Sequence, residues 1–148
     1  MSEHQATIDW ERGPAEFTYE AYPRDHTWTF DGGVRVSASA APGYLGTPSL
    51  VDPEEAYVAS LASCHMLTFL AIAARKRLVV ERYHDTAIGF MEKNANGKLA
   101  ITRIVLHPKV SFGSSAPSHE ELERLHELAH ENCFIANSVH TSITVESA

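Results

Sequence analysis

The chain has 148 residues, 44% of them hydrophobic, and a formal net charge of −7 at pH 7. That length and apolar content suit one soluble domain, 1–148, with a core of its own. The negative balance argues against a nucleic-acid partner, which needs clustered Lys and Arg. The start, MSEHQATIDW, has no basic stretch followed by an apolar one, so no secretory signal is expected. Two cysteines, Cys64 and Cys133, make no disulfide framework of the small secreted kind. A reduced, cytoplasmic protein is the expectation.

In chain order, residues 5–11 and 16–22 alternate as strands, the second with Phe17, Tyr19 and Ala21 on one face. His26–Phe30 and Val34–Ser39 flank Asp31-Gly32-Gly33, a strong hairpin signal. Residues 40–51 form a Gly- and Pro-punctuated loop. A long helix is predicted over Asp52–Arg77. Ala87–Lys93 and Lys98–Val110 then read as a second hairpin around Asn94-Ala95-Asn96-Gly97, followed by a small-residue loop over Ser111–Pro117. Ser118 and Glu121 make a capping box that opens an amphipathic helix with Leu122, Leu125 and Leu128 on its apolar side. A short helix or turn through Ser138 and a last strand, His140–Glu146, complete the chain.

The Asp52–Arg77 helix organises the rest. Asp52 suits the N-cap, Pro53 the first helical position, and Glu55 the capping-box position; Arg75, Lys76 and Arg77 complement the negative end of the helix. Between those ends the residues are apolar nearly all round, which predicts burial on every side. Some 20 apolar residues could cross a bilayer, but Ser60, Ser63, Cys64, His65 and Thr68 fall at the centre, where polar groups are expensive. A core helix with no membrane partner is therefore expected. The order of elements is α+β: antiparallel sheets around a long buried central helix. One chain supplies too little to cover that helix, so an intertwined homodimer is predicted.

Few residues carry chemistry. A free cysteine commonly packs as a small hydrophobe, and Cys64, in mid-helix, gains nothing from the helix dipole while apolar surroundings raise its pKa. A reactive thiolate there needs a cation brought from elsewhere, for which arginine is best suited. Glu54 stands ten residues before Cys64. It serves equally as an acid favouring the helix N-terminus or as a carboxylate gripping that arginine's fork.

DPEEAYVASLASCHM, with Pro53-Glu54 and the cysteine ten residues on, resembles the central helix of the OsmC/Ohr family, the osmotically inducible and organic hydroperoxide resistance proteins. HENCFIANSV, with Cys133 ahead of Asn137-Ser138, is similar to that family's second cysteine motif. The resemblance implies an intertwined homodimer and a peroxidase that reduces hydroperoxides with two cysteines, a dithiol reductant and no metal or other cofactor. Carried over, Cys64 is the peroxidatic cysteine, Cys133 the resolving one and Glu54 the acid that orients an arginine. Phe134 stands where the family often has proline. No Arg or Lys occurs between Val36 and Ala74, which leaves Arg24 as the first candidate for the arginine, ahead of Arg35 and Arg12.

Three other readings compete. Cys64-His65 with His130-x-x-Cys133 supplies four ligands of metal-binding type, although adjacent helical residues point about 100° apart. A non-catalytic stress-related binding module is compatible with the same fold. Cysteine hydrolase chemistry would need His26, His65 or His140 as base.

Overall fold

The computed structural model describes residues 1–113 and 115–147, in two compact units, Met1–Ala56 and Tyr57–Ala148. The first unit holds an antiparallel sheet of β1 (Ala6–Asp9), β2 (His26–Phe30) and β3 (Arg35–Ala38), in that order. The predicted Asp31-Gly32-Gly33 hairpin joins β2 to β3, with Gly33 at φ +93°. Asp25 fastens the loop after β3 by accepting hydrogen bonds from the hydroxyls of Ser39 and Thr47. That loop closes tightly at Gly46, where a Cβ would lie 1.6 Å from the carbonyl oxygen of Ala40. Only glycine fits there.

Residues 16–22, expected as a strand, are turns in which the amides of Ala21 and Tyr22 both donate to the Thr18 carbonyl. The alternation of aromatic residues has a different origin. Trp10, Phe17 and Tyr22 pack ring against ring, and Tyr19 and Tyr22 face the Arg24 guanidinium.

Helix α1 (Pro53–Arg75) begins in the first unit and continues into the second. Its capping box is formed as expected: the Glu55 amide donates to Asp52 Oδ1 at 2.8 Å and the Asp52 amide to Glu55 Oε1 at 3.2 Å. At the other end the Leu78 amide bonds the Ala73 carbonyl and the Arg77 amide the Ala74 carbonyl, while Arg77 takes φ +60°. This is a Schellman close with arginine in the position usually given to glycine.

The second unit adds β4 (Val80–His84), β5 (Ile88–Lys93), β6 (Leu99–Leu106), β7 (Lys109–Phe112), α2 (His119–Asn132) and β8 (Ser142–Val145). The expected strand Lys98–Val110 is broken at His107-Pro108, because proline has no amide to give a ladder. Its second part, β7, pairs antiparallel with β4, an element the sequence pattern did not suggest. β5 and β6 form the predicted hairpin, and β8 adds to β6 in parallel.

Two apolar clusters hold this unit. Leu61, Ile104 and Leu106 join the first half of α1 to β6 and β8; Phe69, Ala73, Leu125 and Ala129 join its second half to α2, with β4 and β7 packed alongside. α1 lies close on β5, since a Cβ at Gly89 would come within 2.5 Å of Val58 Cγ2.

Burial on every side of α1 is not what one chain provides. The helix is long and apolar enough to cross a membrane, yet its buried residues form one stripe at every fourth position, Leu61, His65, Phe69 and Ala73. Ser60, Ser63, Leu67, Ala71 and Ala74 lie exposed, Leu67 at 60%. The remaining elements of the chain cover one face of the helix.

Candidate functional site

Cys64 and Cys133 meet in the second unit. α1 presents Cys64 half-buried, one residue off the buried stripe, so the sulfur sits beside the core rather than within it. Cys133 is the C-cap of α2 and is 1% exposed. Its backbone amide bonds the His130 carbonyl, and its sulfur accepts the Ala136 amide at 3.5 Å. Burial pushes the Cys133 thiol up, and the neighbouring Cys64 thiol pushes it the same way; the amides of Ala136 and Ile135 oppose both.

Beside Cys64 lies a cavity of about 460 Å³, lined by Leu67, Thr68, Ala71, Ile72, Arg75, Asn132 and Phe134, within the size range of small-molecule sites. Phe134, the residue in the family's proline position, is 81% exposed at its rim. Arg75, expected only as a cation at the helix end, lies eleven residues beyond Cys64 and also lines this cavity. Eleven residues make three helical turns, which is the signal that returns it to the same face.

Arg24 and Glu54 belong to the first unit. The Arg24 guanidinium donates to the carbonyls of Tyr19 and Tyr22 and lies 3.6 Å from the centroid of the Tyr22 ring. Among the described residues no ion pair joins it to Glu54, whose Oε2 is buried without a hydrogen-bond partner. Arg35 lies on β3 and lines a different cavity with Asp9, Glu11, Asp25 and His26. His26 is poorly placed to act as a base: its Nε2 accepts the Trp28 indole N–H at 2.9 Å, so its other nitrogen is the donor to the Arg24 carbonyl.

His65 turns from Cys64 into the core. Its Nε2 lies 3.0 Å from His126 Nδ1, with the rings stacked, and Phe69 stacks on His126 in turn. The two histidines are 1% and 3% exposed. Burial, together with His126 and His130, brings His65 down to about 4, and burial alone brings His126 to about 4. His126-Glu127 and His130 have the H-E-x-x-H spacing found in zinc proteases. Among the described residues, however, no three His, Cys, Asp or Glu side chains gather as metal ligands.

The two thiols therefore sit on the C-terminal cap of one helix and the middle of another. The family of OsmC-like proteins matches residues 46–148, and the chain belongs to it. The structure superposes with a TM-score of 0.96 on an OsmC-like protein of unknown function from Vibrio cholerae O1 biovar eltor, 52% identical, over 100% of both chains. An organic hydroperoxide resistance protein from Elizabethkingia anophelis, with thiocyanate bound, aligns at TM-score 0.74 and 18% identity over 100% of this chain and 98% of its own. The organic hydroperoxide resistance protein OsmC of Legionella pneumophila aligns at 0.72 and 16% identity over 99% and 96%. These last two share the fold. No curated protein matches the chain.

Proposed function

We propose that the protein is a thiol-dependent peroxidase that reduces organic hydroperoxides in the cytoplasm as part of oxidative stress defence. The observation that carries this reading is the closeness of the two thiols beside an apolar cavity. The Cys64 thiolate attacks the distal peroxide oxygen; the O–O bond breaks, the alkoxide leaves and takes a proton as the alcohol, and Cys64 becomes a sulfenic acid. Cys133 then attacks that sulfur, forming the disulfide and releasing water. An external dithiol reduces the disulfide and is itself oxidised. Cys64, half-buried and lining the cavity, is the accessible thiol, and Cys133, 1% exposed, is the one behind it, which divides the roles of nucleophile and resolving thiol.

Arg24, oriented by Glu54, is the proposed cation for the thiolate and the departing alkoxide. The buried, unpartnered Glu54 oxygen supports that role, because a guanidinium would satisfy it. A homodimer is also part of the proposal. The exposed stripe Ser60, Ser63, Leu67, Ala71 and Ala74 has the three-and-four spacing and small side chains of a helix-packing face.

Thiol titration tests the reading. One equivalent of an alkyl hydroperoxide should remove both free thiols, and dithiothreitol should restore them. Cys64→Ser should fold and consume no peroxide. Peroxide turnover retained by that variant ends the proposal.

A further inference from the structure

We infer that the buried His65–His126 pair sets the register of α1 against α2 and so positions Cys133 to close the disulfide on Cys64. This rests on the peroxidase reading above and adds two positioning residues to its second step. Each helix carries one thiol and one member of the pair: Cys64 and His65 are neighbours on α1, and Cys133 caps α2 seven residues after His126. Seven residues are two turns, about 10 Å along the helix. Adjacent residues of α1, pointing about 100° apart, therefore take hold of α2 at two levels. His65 reaches its middle at 3.0 Å, and Cys64 lies beside its C-terminal cap.

The packing around the pair is apolar. Phe69, Ala73, Leu125 and Ala129 join the two helices, and apolar contact is non-directional. A hydrogen bond weakens steeply with distance and angle, and this is the one side-chain hydrogen bond between α1 and α2 among the described residues. The pair is kept at a cost, because His65 Nδ1 and His126 Nε2 are buried without partners. Apolar side chains of similar size would fill the same space and strand neither nitrogen. Buried polar groups retained on such terms specify register, as a single asparagine does in a coiled coil. Register matters because a disulfide forms only with its Cα atoms roughly 4.4–6.8 Å apart. A slip of α2 by one residue moves Cys133 by about 1.5 Å. Peroxide attack at Cys64 does not involve Cys133 and is indifferent to that slip. Resolution is not: the Cys133 sulfur must reach the sulfenic sulfur, bond to it and release the oxygen as water.

The test breaks the bond with His65→Leu and His126→Phe, singly and together. It keeps the bond with His65→Gln and His126→Asn, whose amides put a polar atom near the bonding ring nitrogen. One equivalent of an alkyl hydroperoxide is added with increasing dimedone, and mass spectrometry divides the product between the Cys64 adduct and the disulfide. In the broken variants single-turnover peroxide consumption should match wild type. Closure should slow about tenfold or more, and excess peroxide should yield more sulfinic acid. The amide variants should close faster than the broken ones. A second readout needs no peroxide: in a glutathione buffer the broken variants' disulfide should be about tenfold less favoured, a potential about 30 mV higher. Wild-type closure in broken variants that melt cooperatively overturns the assignment. So does equal slowing of both steps, closure no better in the amide variants, or failure of all three broken variants to fold. A wild-type chain that forms no sulfenic acid removes the peroxidase reading alone, and the glutathione readout then decides the register.

Discussion

Acid should weaken this protein through the His65–His126 pair. Whichever ring donates across the 3.0 Å contact, each keeps one outer nitrogen, His65 Nδ1 or His126 Nε2, buried without a partner. An added proton therefore has to sit on an unsatisfied buried nitrogen, which is why both groups are held at about 4 against an ordinary 6.5. The sign follows from linkage. Between those values the unfolded histidines take up protons that the folded pair refuses, so stability is full above pH 6.5 and falls as pH drops toward 4. The size is about 3 kcal/mol for each imidazole, against a total of about 5–15 kcal/mol for an ordinary domain. Urea unfolding between about pH 7 and about pH 4.5 measures it, with His65→Leu/His126→Phe as the reference that subtracts the other titrating groups. That double variant keeps an aromatic ring on Phe69 and leaves neither partner stranded. Wild type should lose several kcal/mol more than the variant over this range. Parallel losses in the two proteins would refute the argument.

Cys133→Ser should still react once with peroxide but stop at the sulfenic acid, which a dimedone-type probe detects and excess peroxide drives on to the sulfinic form. Arg24→Ala and Arg24→Lys should slow Cys64 alkylation near neutral pH and the peroxide step, while Glu54→Gln slows both less; unchanged rates would pass the role to Arg35. Sedimentation equilibrium at micromolar concentration should give twice the chain mass, and Leu67→Glu should shift it toward one.

Signals of short range were legible in the sequence. Both capping boxes formed as their spacing implied, because the atoms involved lie within one helical turn. The two-cysteine pattern could be read through its resemblance to a family, although nothing local places Cys64 against Cys133. Readings failed where side chains answered to partners distant in the chain. The aromatic residues of 16–22 alternate to cover Arg24 and Trp10, and the same alternation reads as a strand. β4 alternates weakly because Glu81, Arg82 and His84 are exposed, and its pairing with β7 is visible only in three dimensions. His65 was read as a neighbour of Cys64. Its actual neighbour is His126, four strands later on the next helix. Apolarity around α1 signalled that one chain supplies too little to cover it, and the exposed face of the helix agrees with that reading.

A disulfide between Cys64 and Cys133 would give the chain a second topology. A bond closed there turns about 70 residues, from the middle of α1 to the end of α2, into a ring, and a ring has far fewer unfolded shapes than an open chain. On chain-entropy grounds that is worth about 4 kcal/mol at room temperature. The two redox forms would then differ in heat resistance as well as in chemistry. After peroxide exposure the protein should melt at a higher temperature until the reductant reopens the ring.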